Sequence, residues 1–108
     1  MPIYNKLVRD KIPQVIAASG LGCRTRILSD DEYRKELNIK LREEIEEYFR
    51  AGNSQDALEE LADLLELIRA LARVHGADWE QLEALRAGKA EARGGFEERV
   101  FLIDVDDR

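Results

Sequence analysis

The chain has 108 residues, 44% of them hydrophobic and 37% charged, and a formal net charge of −6. That length allows one domain whose core gains from oligomerisation, and the mix of apolar and charged residues excludes a disordered chain. The negative charge disfavours nonspecific binding to nucleic acid or anionic membranes. No apolar run reaches the length of a membrane span and the N-terminus lacks a signal-peptide core, so a cytoplasmic protein is expected.

After an extended start, Asp10-Lys11-Ile12-Pro13 predicts the opening of a short helix with proline in its first turn, closed by Gly20. Gly22 to Leu28 reads as loop and short strand, with weak alternation and a lone Cys23 that has no partner for an internal disulfide. Ser29-Asp30-Asp31-Glu32 is a capping box, and the helix it opens is predicted to run to about Ala51, before Gly52. Asn53 or Ser54 starts the next helix, which ends near His75 before Gly76; His75 is expected to cap the carbonyls there. Asp78-Trp79-Glu80-Gln81 resembles a second capping box, opening a helix that ends at Gly94-Gly95. The tail from Arg99 to Val105 reads as a strand that could pair with Arg24–Leu28. The architecture expected is mainly α, with two long helices forming an antiparallel hairpin about a Gly-Asn-Ser connection. A small two-stranded element would accompany it.

The long helices carry acids where an apolar pattern expects leucines. In Glu43-Glu44-Ile45-Glu46-Glu47, Leu37, Leu41, Ile45, Tyr48 and Phe49 mark the core-facing stripe. Glu44 falls on its edge, roughly 20° from Leu37 and about 40° from Tyr48 at 100° per residue. Glu47, one turn on, shares its side, while Glu43 and Glu46 point further out. In Glu59-Glu60-Leu61-Ala62-Asp63, Glu60 lies inside a wide apolar arc, between Leu67 and Leu71, with Asp63 beside it. Counted from the hairpin turn, Glu47 and Glu60 stand at the same level. Four carboxylates would thus converge, and unpaired buried carboxylates must be protonated, paired or bound to a cation. Oxygen ligation of that kind suits Mg²⁺ or Mn²⁺. The competing reading is a solvated acidic helix face; it serves for Glu43, Glu46 and Glu59 and explains Glu44 and Glu60 less well. The second long helix is apolar over too much of its surface for a single partner, so a homodimer would cover the remainder.

Glu44-Ile45-Glu46-Glu47, a short turn, and Glu60-Leu61-Ala62-Asp63 resemble the signature of the MazG-type all-α nucleoside triphosphate pyrophosphohydrolases, Glu-x-x-Glu followed by Glu-x-x-Asp. Tyr4-Asn5-Lys6-Leu7-Val8-Arg9-Asp10-Lys11-Ile12-Pro13 and Lys89-Ala90-Glu91-Ala92-Arg93-Gly94-Gly95-Phe96 narrow the likeness to a small single-domain branch, described as house-cleaning or phosphoribosyl-ATP pyrophosphohydrolase-like. It spans nearly the whole chain, and its motifs are specific for the superfamily more than for a substrate.

The resemblance implies a MazG-like helical bundle completed as a homodimer or higher homo-oligomer. The reaction it implies is Mg²⁺-dependent hydrolysis of a nucleotide between its α and β phosphates, giving a monophosphate and pyrophosphate. Glu44, Glu47, Glu60 and Asp63 would then hold the metal, with Mn²⁺ as a substitute. Glu43 or Glu59 would orient or deprotonate the attacking water. Lys89 and Arg93, one helical turn apart, and Asn5, Lys6 and Arg9 near the start would hold phosphate; as ordinary surface charges these residues need no ligand. Tyr48 or Phe96 could border a base pocket. Two other readings stay open, namely phosphoribosyl-ATP hydrolysis in histidine biosynthesis and a non-catalytic helical interaction module.

Overall fold

The computed structural model describes residues 2–107. Four helices form: α1 (Ile12–Ala18), α2 (Asp30–Arg50), α3 (Ser54–Val74) and α4 (Trp79–Arg93). Their ends follow the local chemistry. Lys11 precedes α1 without a side-chain cap, Pro13 sits in the first turn where its missing N–H forfeits no bond, and Gly20 closes the segment at φ 86°. Ser29 caps α2 through the Glu32 N–H while the Glu32 side chain returns to the Ser29 N–H, a complete capping box. Asn53 accepts from the Asp56 N–H at 2.9 Å, so the three residues between α2 and α3 already carry the start of the next helix. Asp78 and Gln81 form the second capping box at α4.

The helices α2 and α3 run antiparallel. Near the turn, Glu44 of α2 meets Glu60 of α3, and at the open end Arg34 Nη2 donates to His75 Nδ1 at 3.3 Å. His75 thus ties the two helices with its imidazole, while the last carbonyls of α3 receive the backbone N–H groups of His75, Gly76 and Ala77. The seam between the helices holds Leu37, buried to 2% exposure, and the half-buried Ala57, Glu60, Leu64, Leu67 and Leu71. The fourth helix packs only on α3, where the Arg69 guanidinium lies over the Trp79 ring at 5.2 Å from its centroid.

No strand forms among the described residues. The expected pairing of Arg24–Leu28 with the tail is therefore not made. Arg99 adopts φ 60°, a left-handed conformation that interrupts an extended run at its first residue, and its N–H turns back to the Phe96 carbonyl at 3.3 Å. Ile27, Phe101 and Ile103 are nearly fully exposed, and a two-stranded ladder with nothing packed on it is marginal in water.

Only Leu37 and Ala72 are buried among the described residues. The accessible surface is 10081 Å² for 12.4 kDa, against about 6,100 Å² for a compact monomer of that mass. The radius of gyration is 18.8 Å, where about 13 Å is expected for this length. Exposed apolar side chains include Leu58, Leu61, Leu65 and Ile68 on one side of α3.

Candidate metal centre

The hairpin seam carries acid at its turn-proximal end. Glu44 and Glu47, one turn apart on α2, face Glu60 on α3, and one carboxylate oxygen from each lies within 4.8 Å of the other two. Oxygens bound to one Mg²⁺ at about 2.1 Å stand about 3–4.2 Å apart, so a modest side-chain movement would bring all three onto a single cation. The Oε2 atoms of Glu44 and Glu60 are shut off from solvent and receive no hydrogen bond. Each carboxylate can only accept, so the two oppose each other unless a proton or cation lies between them. The hydrogen bond that a protonated Glu60 would make to Glu44 comes first, then desolvation and the charges of Glu44, Glu47 and Asp63, and together they push the Glu60 carboxyl up to about 7. Either a proton or a cation would relieve the opposition of two such acids.

Other candidate residues are distributed unevenly around this group. Asp63 adds its charge to the field at Glu60 but does not join the three-oxygen cluster; its Oδ1 is held by Arg9 Nη2 at 2.6 Å. That contact joins residues 54 apart in sequence and brings the N-terminal segment to the rim of the acidic site. Glu43 faces Lys40, at 4.0 Å. Glu59 instead lines an open cleft of about 350 Å³ together with Glu47, Glu60, Arg50 and Asp56 at the hairpin turn. Of the two outer acids, only Glu59 therefore shares a wall with the carboxylate cluster.

Asn5 is exposed with φ 44°, and Lys6 Nζ lies 5.4 Å from the centroid of the Tyr4 ring. Lys89 and Arg93 are exposed on α4 and do not line the cleft. Phe96 is 97% exposed, whereas the Tyr48 ring lies tilted by 58° beside Phe49 with centroids 5.9 Å apart. Two charged cleft residues were not among the sequence candidates, Arg50 and Asp56. Arg50 stands one turn beyond Glu47 at the end of the helix, and that spacing was the available signal.

A protein of Mycolicibacterium smegmatis, described as uncharacterized, is 52% identical to this chain over 52 residues, which are 48% of the chain and 52% of that relative. The chain thus spans about half the length of the curated relative it matches. No family model matches the chain, and no solved structure does.

Proposed function

We propose that the protein is a metal-dependent nucleotide pyrophosphohydrolase of the MazG type, acting as a homo-oligomer on a nucleoside triphosphate. The observation that carries this reading is the meeting of Glu44, Glu47 and Glu60 within 4.8 Å, with two buried carboxylate oxygens lacking any donor. Helix seams filled by leucine have no reason to hold such a group, and a divalent cation removes its electrostatic cost. The donor set is all oxygen, which suits Mg²⁺ or Mn²⁺. When bound there, the cation would supply charge neutralisation for phosphate oxygens and acidify a coordinated water.

The chain's own groups would do the remainder. Glu44, Glu47 and Glu60 would hold the cation at the hairpin. Asp63, drawn aside by Arg9 at 2.6 Å, would become available to the cation if Arg9 turned to a substrate phosphate. Glu59, on the cleft wall beside Glu60, is better placed than Glu43 to take the proton from an attacking water. Arg50 on the same wall can offset charge on the departing pyrophosphate. The surface exceeding that of a compact monomer by roughly two thirds supports association with further copies.

The test is a panel of standard, deoxy- and modified nucleoside triphosphates, with phosphoribosyl-ATP beside them, in Mg²⁺. Pyrophosphate should appear from at least one triphosphate and should disappear in Glu44→Gln and Glu60→Gln. Full activity in both variants would remove the carboxylate group from the mechanism.

A further inference from the structure

Residues 2–21 form an arm that the hairpin grips at one point. Its helix α1 packs against none of the other three helices, and Ile3, Tyr4, Val15 and Leu21 along it are exposed. The backbone hydrogen bonds of the arm are all local. Among the described residues, a single hydrogen bond or ion pair joins it to the remainder of the chain, the 2.6 Å contact from Arg9 Nη2 to Asp63 Oδ1 on α3. Leu7 and Val8, next to Arg9, are the half-buried part of the extended segment. Further on, the Arg26 guanidinium is held by both carboxylate oxygens of Glu32, at 3.2 and 2.7 Å, in the first turn of α2. The stretch from Arg9 to Arg26 is thus fastened to α2 by a two-bond grip and to α3 by one carboxylate.

That carboxylate has a second claim on it. Asp63 stands one turn beyond Glu60 on α3, and its charge reaches the Glu60 carboxyl, which meets Glu44 and Glu47. The arm brings Lys6, Arg9 and Lys11 against one acid, Asp10. An empty group of carboxylates attracts so basic a segment, and a divalent cation among them cancels that attraction. The grip itself is slight, because Arg9 and Asp63 are 57% and 40% exposed and an ion pair in that setting gains little over water.

We propose that the arm is a strap whose docking competes with the cation: Arg9 holds Asp63 while the carboxylate centre is empty, and when the centre is loaded Asp63 turns inward and residues 2–21 are released. The release rests on cation binding at Glu44, Glu47 and Glu60 and needs no catalysis. A triphosphate at the loaded centre presents new anionic oxygens to Arg9, so the strap closes again over it; this second movement rests on the proposed reaction. Competition of this kind is reciprocal. Arg9 weakens cation binding by the factor by which the cation loosens the strap, and an exposed ion pair sets that factor at about 1.4- to 5-fold.

Nitrogen-15 NMR of the whole protein reads the strap without any turnover. Saturating Mg²⁺ should move the Arg9 guanidinium signal to the position it takes in Asp63→Asn, and backbone order parameters of residues 2–11 should fall below about 0.6. Calorimetry should show Mg²⁺ bound about 1.4- to 5-fold more tightly by Arg9→Gln. In an Asp63→Asn background the same change should leave Mg²⁺ affinity unaltered. An arm that ignores saturating Mg²⁺ would overturn the strap. So would an equal gain from Arg9→Gln in the Asp63→Asn background, since Arg9 would then act only as a nearby charge. Absence of any Mg²⁺ binding would overturn the strap and the metal centre together. A non-hydrolysable triphosphate added with Mg²⁺ should order residues 2–11 again, and a strap that stays released would overturn the closing movement. If the strap answers to Mg²⁺ but no triphosphate is hydrolysed, the reaction fails and the strap stands.

Discussion

Cation binding at the Glu44–Glu60 pair should release protons in amounts set by the pH. The Glu60 carboxyl, raised to about 7 chiefly by the hydrogen bond its protonated form would make to Glu44, holds its proton well above the ordinary carboxylate range and gives it up as pH rises past neutrality. A cation bound between the two carboxylates requires both to be ionised, so it displaces that proton. Titration with Mn²⁺ in two buffers of different ionisation enthalpy measures the proton count directly. The expected release is largest at acidic pH and falls away as pH rises above neutrality, and Glu60→Gln should abolish it. Cation binding without proton release at pH 6 and 7 would refute the reasoning, because the cation would then be sitting away from the opposed pair. The same shift sets the stability of the cation-free protein. A carboxyl that ionises later in the folded state than in the unfolded one, near 4.5, exacts no penalty below pH 4.5. The penalty develops as pH rises to about 7 and stays in full above it. Stability should therefore fall across that window, and saturating Mn²⁺ should restore it.

Leu37→Ala should destabilise the fold by about 2–5 kcal/mol, because Leu37 is 2% exposed in a core with almost no other buried residue; urea unfolding of the cation-free protein measures it. Glu32 behaves opposite to Glu60: Arg26 and Ser29 hold its carboxyl down at about 2, so its stabilisation is complete above pH 4.5 and is lost as pH falls toward 2. Arg26→Ala should lessen that acid sensitivity in a thermal-melt series, the Ser29 share remaining. Arg9→Ala frees Asp63 from a 2.6 Å contact; it should strengthen Mn²⁺ binding without nucleotide and raise KM for the triphosphate, a split read by calorimetry and steady-state kinetics.

The helix ends were legible because their signals are local. Ser29 with Glu32, Asn53, and Asp78 with Gln81 each act within four residues, and each begins a helix where its spacing predicts. The level shared by Glu44, Glu47 and Glu60 was legible too, since a three-residue turn between two regular helices leaves little freedom of register. The pairing of Asp63 with Arg9 was not. It joins the second long helix to an extended segment through two side chains whose meeting depends on the path of the backbone from residue 9 to residue 30. The tail failed as a strand for a related reason: the apolar residues between Arg99 and Val105 describe what the segment could bury, and their side chains stay exposed.

The most direct test is ³¹P NMR of the protein with Mg²⁺ and a panel of nucleoside triphosphates. The account predicts that the signals of at least one triphosphate give way to a nucleoside monophosphate and pyrophosphate, and that Glu60→Gln slows this by more than about 100-fold, beyond the loss typical of removing a residue that only supports a metal ligand. Release of orthophosphate, no turnover of any triphosphate, or unchanged turnover in Glu60→Gln would contradict it.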